Sequence, residues 1–415
     1  MADSGKTRAD GSPGLTIPFA EFVLLSALLT ALTALSIDIM LPALPNIASE
    51  FNRTASNDRQ LVVIVYFIGF GGGQLFWGPF SDRFGRIPVL AVGLGIFVLG
   101  AILALMADSF EALLTARIVQ GLGSAASRVT VTAIARDLFS GARMSRVMSL
   151  IMTVFIAVPI LAPLAGQGLL FFGTWRLHFY VILAIGLIAL SWAMVRLPET
   201  RPRAARQGAK NRFQQALLGF MRERAAIAYM VASGLIFGCL TAYIANAQQI
   251  FGELYALGDS FAIAFSSISA AVAVASFTNA RIVMSRGMRR VCHVALVGFV
   301  ILSALLAVAA YVSPPSLPVL IVWLGLLFFL FGLIGPNFNA IALEPMGAIA
   351  GLAASIFGFA NTSIAALGGW LIGGSYDGTL FPFALGFTLL SSFALLLIFL
   401  VEGRAGMFGG RDPRR

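Results

Sequence analysis

The chain is short of charge. Asp, Glu, Lys and Arg make up 11% of its 415 residues, against roughly 25% in ordinary soluble domains. So few charges cannot solvate a globular surface on all sides, which excludes a soluble domain. Cysteine is scarce too: Cys239 and Cys292 fall in or at the edge of different apolar segments, which argues against a stabilising disulfide or a metal cluster and leaves them as packing residues. The two histidines, His178 and His293, lie near opposite ends of apolar segments with no acid pattern around them. Neither paired acids nor a Ser/His/Cys constellation is present, so neither enzymatic activity nor a cofactor or metal is expected. The first 17 residues are polar and lack the short apolar core and cleavage site of a signal peptide, so they read as a tail. A net charge of +10 raises nucleic acid as a partner, but the basic residues are scattered over many short loops rather than gathered on one face.

What the chain has is apolar length. Hydrophobic residues make up 59%, and about 20 apolar residues span a bilayer core of about 30 Å as a helix. Twelve such windows are found: 19–42, 60–80, 88–107, 111–134, 146–171 and 177–197, then 225–249, 261–280, 291–311, 317–340, 348–373 and 381–402. The expected organisation is a tail (1–18), a six-helix bundle (19–198), a polar central loop (199–224), a second six-helix bundle (225–402) and a second tail (403–415). With both termini in the cytoplasm, 23 of the 28 lysines and arginines fall on the inner side and three, Arg53, Arg59 and Arg176, on the outer. That imbalance fixes the orientation, and Arg117 and Arg128 are left inside a span.

Between the second and third windows lies GPFSDRFGRIP, Gly78 to Pro88, read as a short charged turn at the inner surface. Arginines there are accounted for by topology alone, but Asp82 is not. Gly78, Asp82, Arg83, Gly85 and Arg86 resemble the cytoplasmic loop signature of the major facilitator superfamily, with Ile87 where that family usually has another basic residue. In the second half NARIVMSRGMRR, Asn279 to Arg290, echoes this loop; it keeps Gly287 among basic residues but has lost the acid. The resemblance implies an all-α membrane protein of twelve helices in two pseudo-symmetric six-helix bundles.

Inside the membrane, Asp38 is the one acid of the deep spans, followed by Pro42 and Pro45, which break or bend the helix beyond it. A hydrated, idle position near the outer interface is the competing account. Arg117 and Arg128 are 11 positions apart, hence about 20° apart around a helix, and Ser124 joins their face. Arg117, Gln120, Gly121 and Gly123 resemble the superfamily's fourth-span motif, which in that family sits beside the proton-carrying site. Pro159, Pro163 and Gly166 are similar to the antiporter fifth-span signature, which shapes contacts with the eighth and eleventh spans; Ala162 stands in for its usual glycine. Alone, these residues also fit a plain proline kink. Leu197 to Thr200, Leu-Pro-Glu-Thr, is another frequent family ending. The intramembrane amides, among them Asn246 and Asn337, fit interhelical hydrogen bonds as well as a substrate site.

Taken with SIDIMLPALP, these stretches resemble the bicyclomycin-resistance (Bcr/CflA) branch of twelve-span drug:proton antiporters. The resemblance implies export of a small amphipathic compound from a bacterial cytoplasm across the inner membrane by a monomer, driven by protons and alternating access, with Asp38 and Arg117 in proton coupling. Arg128, Tyr243, Asn246, Asn337 and Asn361 are the candidate substrate-cavity residues. Export of a metabolite, amino acid or peptide is the alternative within the class, and a channel or membrane enzyme the alternative outside it. One acid against two deep arginines favours neutral, zwitterionic or anionic substrates over lipophilic cations.

Overall fold

The structure, a computed structural model, describes residues 17–53, 57–201, 217–220 and 222–407. Most of the expected tails and central loop therefore lie outside the described residues. Twelve long helices are present: α1 (Phe19–Asp38), α2 (Asp58–Phe84), α3 (Arg86–Leu105), α4 (Phe110–Leu138), α5 (Gly141–Leu170), α6 (Arg176–Arg196), α7 (Arg224–Gln248), α8 (Phe261–Arg286), α9 (Met288–Val312), α10 (Leu317–Leu343), α11 (Ala350–Gly374) and α12 (Phe381–Met407), the last broken at Gly403. Eleven are long and apolar enough to cross a membrane. The exception is α4, whose small and polar residues and two mid-helix arginines lower its hydropathy. It tolerates them because α1, α2 and α3 enclose it.

Pairing between helices repeats. Within the first half α1 packs on α4, α5 and α6, α2 on α4, and α3 on α4 and α6. Moving every label on by six gives the second half's pairings: α7 on α10, α11 and α12, α8 on α10, and α9 on α10 and α12. This is the two-bundle pseudo-symmetry expected from parallel repeats. The halves meet where α2 packs on α11 and on α7, and where α5 packs on α8.

Local chemistry sets the helix ends. α4 starts at Ser109, whose hydroxyl accepts the Ala112 amide at 3.1 Å. Pro42 and Pro45 end α1 and restart the chain as a 3₁₀ turn (Leu41–Ala43) and a short helix (Leu44–Glu50). The charged segment after Gly78 corrects the sequence reading. It is helical through Phe84 and resumes at Arg86, so the turn is Gly85 alone, with φ 106° and ψ 164°. Polar residues at a membrane face can extend a helix into water, and only the glycine-specific backbone breaks it. Gly287 does the same between α8 and α9, with φ 78° and ψ 150°.

Candidate functional site

Asp38 is the last residue of α1 and is buried. Among the described residues its carboxyl has neither a hydrogen bond nor an ion pair. The expected neighbour Arg117 is fully buried on α4 but turns to backbone instead. Its Nη2 donates to the Ser36 carbonyl at 3.1 Å and its Nε to the Val62 carbonyl at 3.2 Å, while Nη1 donates to Gln120. Its guanidinium stacks 4.4 Å from the Tyr66 ring centroid. Arg117 thus staples α1, α2 and α4 two residues short of Asp38, with no static ion pair between them. Facing Asp38 from the other half is Tyr243 of α7, within electrostatic reach. Its ring packs on Phe265 and Phe328, at 5.0 and 4.6 Å, and its buried hydroxyl has no partner among the described residues.

The remaining candidate cavity residues separate. Asn246 donates to the Ala242 carbonyl at 2.8 Å and accepts from Gln60 at 3.1 Å. Asn337 donates to Asn279 at 2.8 Å and to the Leu333 carbonyl at 2.7 Å. Both are committed to interhelical or intrahelical bonds, the structural account of the two. Asn361, in contrast, buries an oxygen that has no partner among the described residues. Arg128 is half-buried over the Phe155 ring of α5.

Gly166 sits against the end of α1. A Cβ there would lie 1.9 Å from the Ile39 carbonyl, one residue past Asp38. Pro159 and Pro163 lie inside α5, and beside them the Ile160 carbonyl accepts the Ser266 hydroxyl of α8 at 2.6 Å.

Sequence reasoning missed a polar seal across the end that the charge count places outside. Its hub is Gln60 of α2, whose amide donates to Asn246, to Gln249 and to the Gly373 carbonyl of α11 at 2.9 Å. Asn57 donates to the Gly374 carbonyl at 3.0 Å, Arg59 pairs with Glu253, and Gln167 donates to Asp259 at 2.9 Å. Gln249–Leu254 is a π-helical turn at the end of α7, a distortion common at functional sites. An amide at the start of an apolar window was the available signal, and nothing in one sequence says which amides meet.

At the opposite end each half has one arginine hub. Arg86 Nη1 donates to Asp82 and to Ser81, both at 2.9 Å, and Nε donates to Asp137 of α4 at 2.8 Å. The Arg86 and Ile87 amides donate to Glu199 at 2.9 and 3.2 Å. Arg83 is exposed, lying over the Phe84 ring, and a Cβ on Gly78 would meet Ser355 of α11. In the second half Arg289 pairs with Glu402 of α12 at 3.2 Å and Glu344 after α10 at 3.6 Å. Tyr229 also donates to Glu402, at 2.8 Å. The acid missing from the second loop is thus supplied by two other elements. Glu199 was visible in Leu-Pro-Glu-Thr, but its partner was not.

A twelve-helix repeat, eleven of whose helices are long and apolar enough to cross a bilayer, is the architecture of a multi-pass membrane protein. The chain belongs to the Major Facilitator Superfamily, which matches residues 26–369, and it is a multi-pass membrane transporter. Its relatives place it in the bicyclomycin-resistance branch. It is 30% identical to the bicyclomycin resistance protein homolog of Haemophilus influenzae over 85% of this chain and 88% of that one. It is 33% identical to multidrug resistance protein D of Escherichia coli over 44% of this chain and 46% of that one. Among solved structures a D-xylose-proton symporter shares the fold, with a TM-score of 0.75 and 17% identity over 95% of this chain and 99% of that one.

Proposed function

We propose that this protein exports a small amphipathic compound, such as an antibiotic, from the bacterial cytoplasm in exchange for protons, working as a monomer in the inner membrane with both termini inside. It carries out transport and not catalysis. The observation that carries the reading is Asp38: a buried carboxyl at the inter-half seam, bound by none of the described residues, in a chain whose relatives include resistance proteins. A carboxyl in such a place can take up and give up a proton as its hydration changes between the two facing states. Protons are thereby taken up on the acidic outer side and released inward. Arg117 acts by fixing the backbone of α1 just before Asp38 and by adding positive potential that favours release. The seal around Gln60 closes the outer end, which suits a state open to the cytoplasm in an alternating-access cycle.

The test is substrate-driven proton release from the purified protein in detergent, using substrates found by a vesicle transport screen with and without a collapsed proton gradient. Release in the wild type that disappears in Asp38→Asn, with substrate binding retained, is the expected result. Unchanged release in Asp38→Asn would remove Asp38 as the carrier, and transport indifferent to the gradient would remove antiport.

A further inference from the structure

Arg128 is an arginine with nothing to hold. Among the described residues it makes no ion pair and no side-chain hydrogen bond, and its guanidinium lies 5.6 Å from the Phe155 ring centroid. This sets it apart from Arg117, whose three nitrogens all have acceptors, and from Arg59, Arg86 and Arg289, which pair with acids.

The position also argues against escape to the lipid headgroups. Arg128 is four residues past Ser124, the middle of α4, hence about 6 Å from it along the axis. Helical side chains lean towards the helix amino terminus. On α4 that direction leads from Arg128 back towards the bilayer centre. Phe155 agrees, since it is near the middle of Gly141–Leu170. The site is accessible as well: from Gly123 to Ala135 only Arg128, Val129, Thr132 and Ala133 are not buried. A charge at this depth requires protein, water or a ligand as partner, and the protein supplies only an aromatic face.

We propose that Arg128 is the anchor for an anionic group, a carboxylate or sulfonate, on the exported compound, with Phe155 stacking on an aromatic or apolar body next to it. The guanidinium fork matches a carboxylate bidentately, and the deep spans hold a single acid, Asp38, to oppose it. This rests on the exporter reading and narrows its substrate class to organic anions.

Three probes of one shape isolate the charge: biphenyl-4-carboxylate, its methyl ester, and the corresponding benzylic trimethylammonium ion. Calorimetry on the purified full-length wild type should give carboxylate binding at least tenfold tighter than either of the others. Arg128→Gln should remove that preference at an unchanged unfolding temperature, and Arg128→Lys should keep most of it. If Arg128→Gln does not fold, the comparison of carboxylate and ester in the wild type and in Arg128→Lys decides. Equal binding of the three probes, binding of none at millimolar concentration, or an undiminished preference in Arg128→Gln would overturn the proposal. In proteoliposomes, gradient-driven export of the cation without the carboxylate would do so too, while leaving the exporter reading intact. Arg128-dependent carboxylate binding with no gradient-dependent movement of any probe would support the anchor and remove the antiporter reading instead.

Discussion

Single residues at the seam differ in what they hold, and the difference is measurable. Breaking a buried ion pair costs about 3–5 kcal/mol because a charge is left uncompensated. Asp38 has no such pair, so Asp38→Asn, which keeps shape and neutrality, is expected to change unfolding stability by less than about 1 kcal/mol. A loss of several kcal/mol in denaturant or thermal unfolding of the purified variant would mean that the acid is a structural partner after all. Arg117→Met should behave oppositely. It strips hydrogen bonds from the Ser36 and Val62 carbonyls on two helices, and charged donors are worth about 1.5–3 kcal/mol each. A drop of about 2 kcal/mol or more is expected, with proton release from Asp38 weakened rather than abolished.

At the level of elements, the inner turns carry the clearest strain. Gly85 and Gly287 occupy backbone conformations that L side chains rarely adopt, at a cost of about 1–3 kcal/mol for any other residue. Gly287→Ala is expected to cost about that much although its Cβ would enter open space. An unfolding transition unmoved by the change would show that the turn relaxes. Gly85→Ala should add a functional defect, because it also displaces Arg86 from Asp82 and Asp137. Asp82→Asn should lower turnover and leave equilibrium substrate affinity unchanged, since Arg86 retains Asp137 and the cluster lies at the helix ends. Affinity lost with the fold intact would contradict this. How far these elements were legible depends on their physics. Apolar length accounts for eleven of the twelve long helices, with α4 too polar to qualify by that measure, and positive φ at Gly85 and Gly287 agrees with the sequence echo between GPFSDRFGR and NARIVMSRGMRR. The pairings Arg86–Asp137, Arg289–Glu402 and Gln60–Gly373 were not legible, because each joins residues far apart in sequence and depends on which faces the helices present. The family resemblance linked Asp38 with Arg117, but the rotation of each helix about its axis, which decides contact, is not legible in one sequence.

For the whole molecule, the outer seal must break if the two halves rock. Gln167 on α5 and Asp259 before α8 hydrogen-bond across the halves at 2.9 Å. Both background thiols, Cys239 and Cys292, are buried. Gln167→Cys with Asp259→Cys, bridged by a short bismaleimide, should stop transport, while each single variant treated alike remains active. Transport that survives complete bridging would rule out opening at this seam. The π turn at Gln249–Leu254 bears on the same seal in a way that no point substitution exposes. A π turn closes its hydrogen-bonded ring over one more residue than an α turn, so the segment carries one residue of slack. Loss of a single codon there would let the chain continue as ordinary α-helix with every ring closed and, because the residue removed is the one the wider ring accommodates, with the downstream residues near their present bearing. Asn246, upstream, would keep its bond to Gln60, and Glu253 would stay on the side of Arg59. An in-frame triplet deletion in this one turn would then pass unnoticed by the fold and by the seal, whereas the same loss from any of the regular helices would turn every residue beyond it by about 100°.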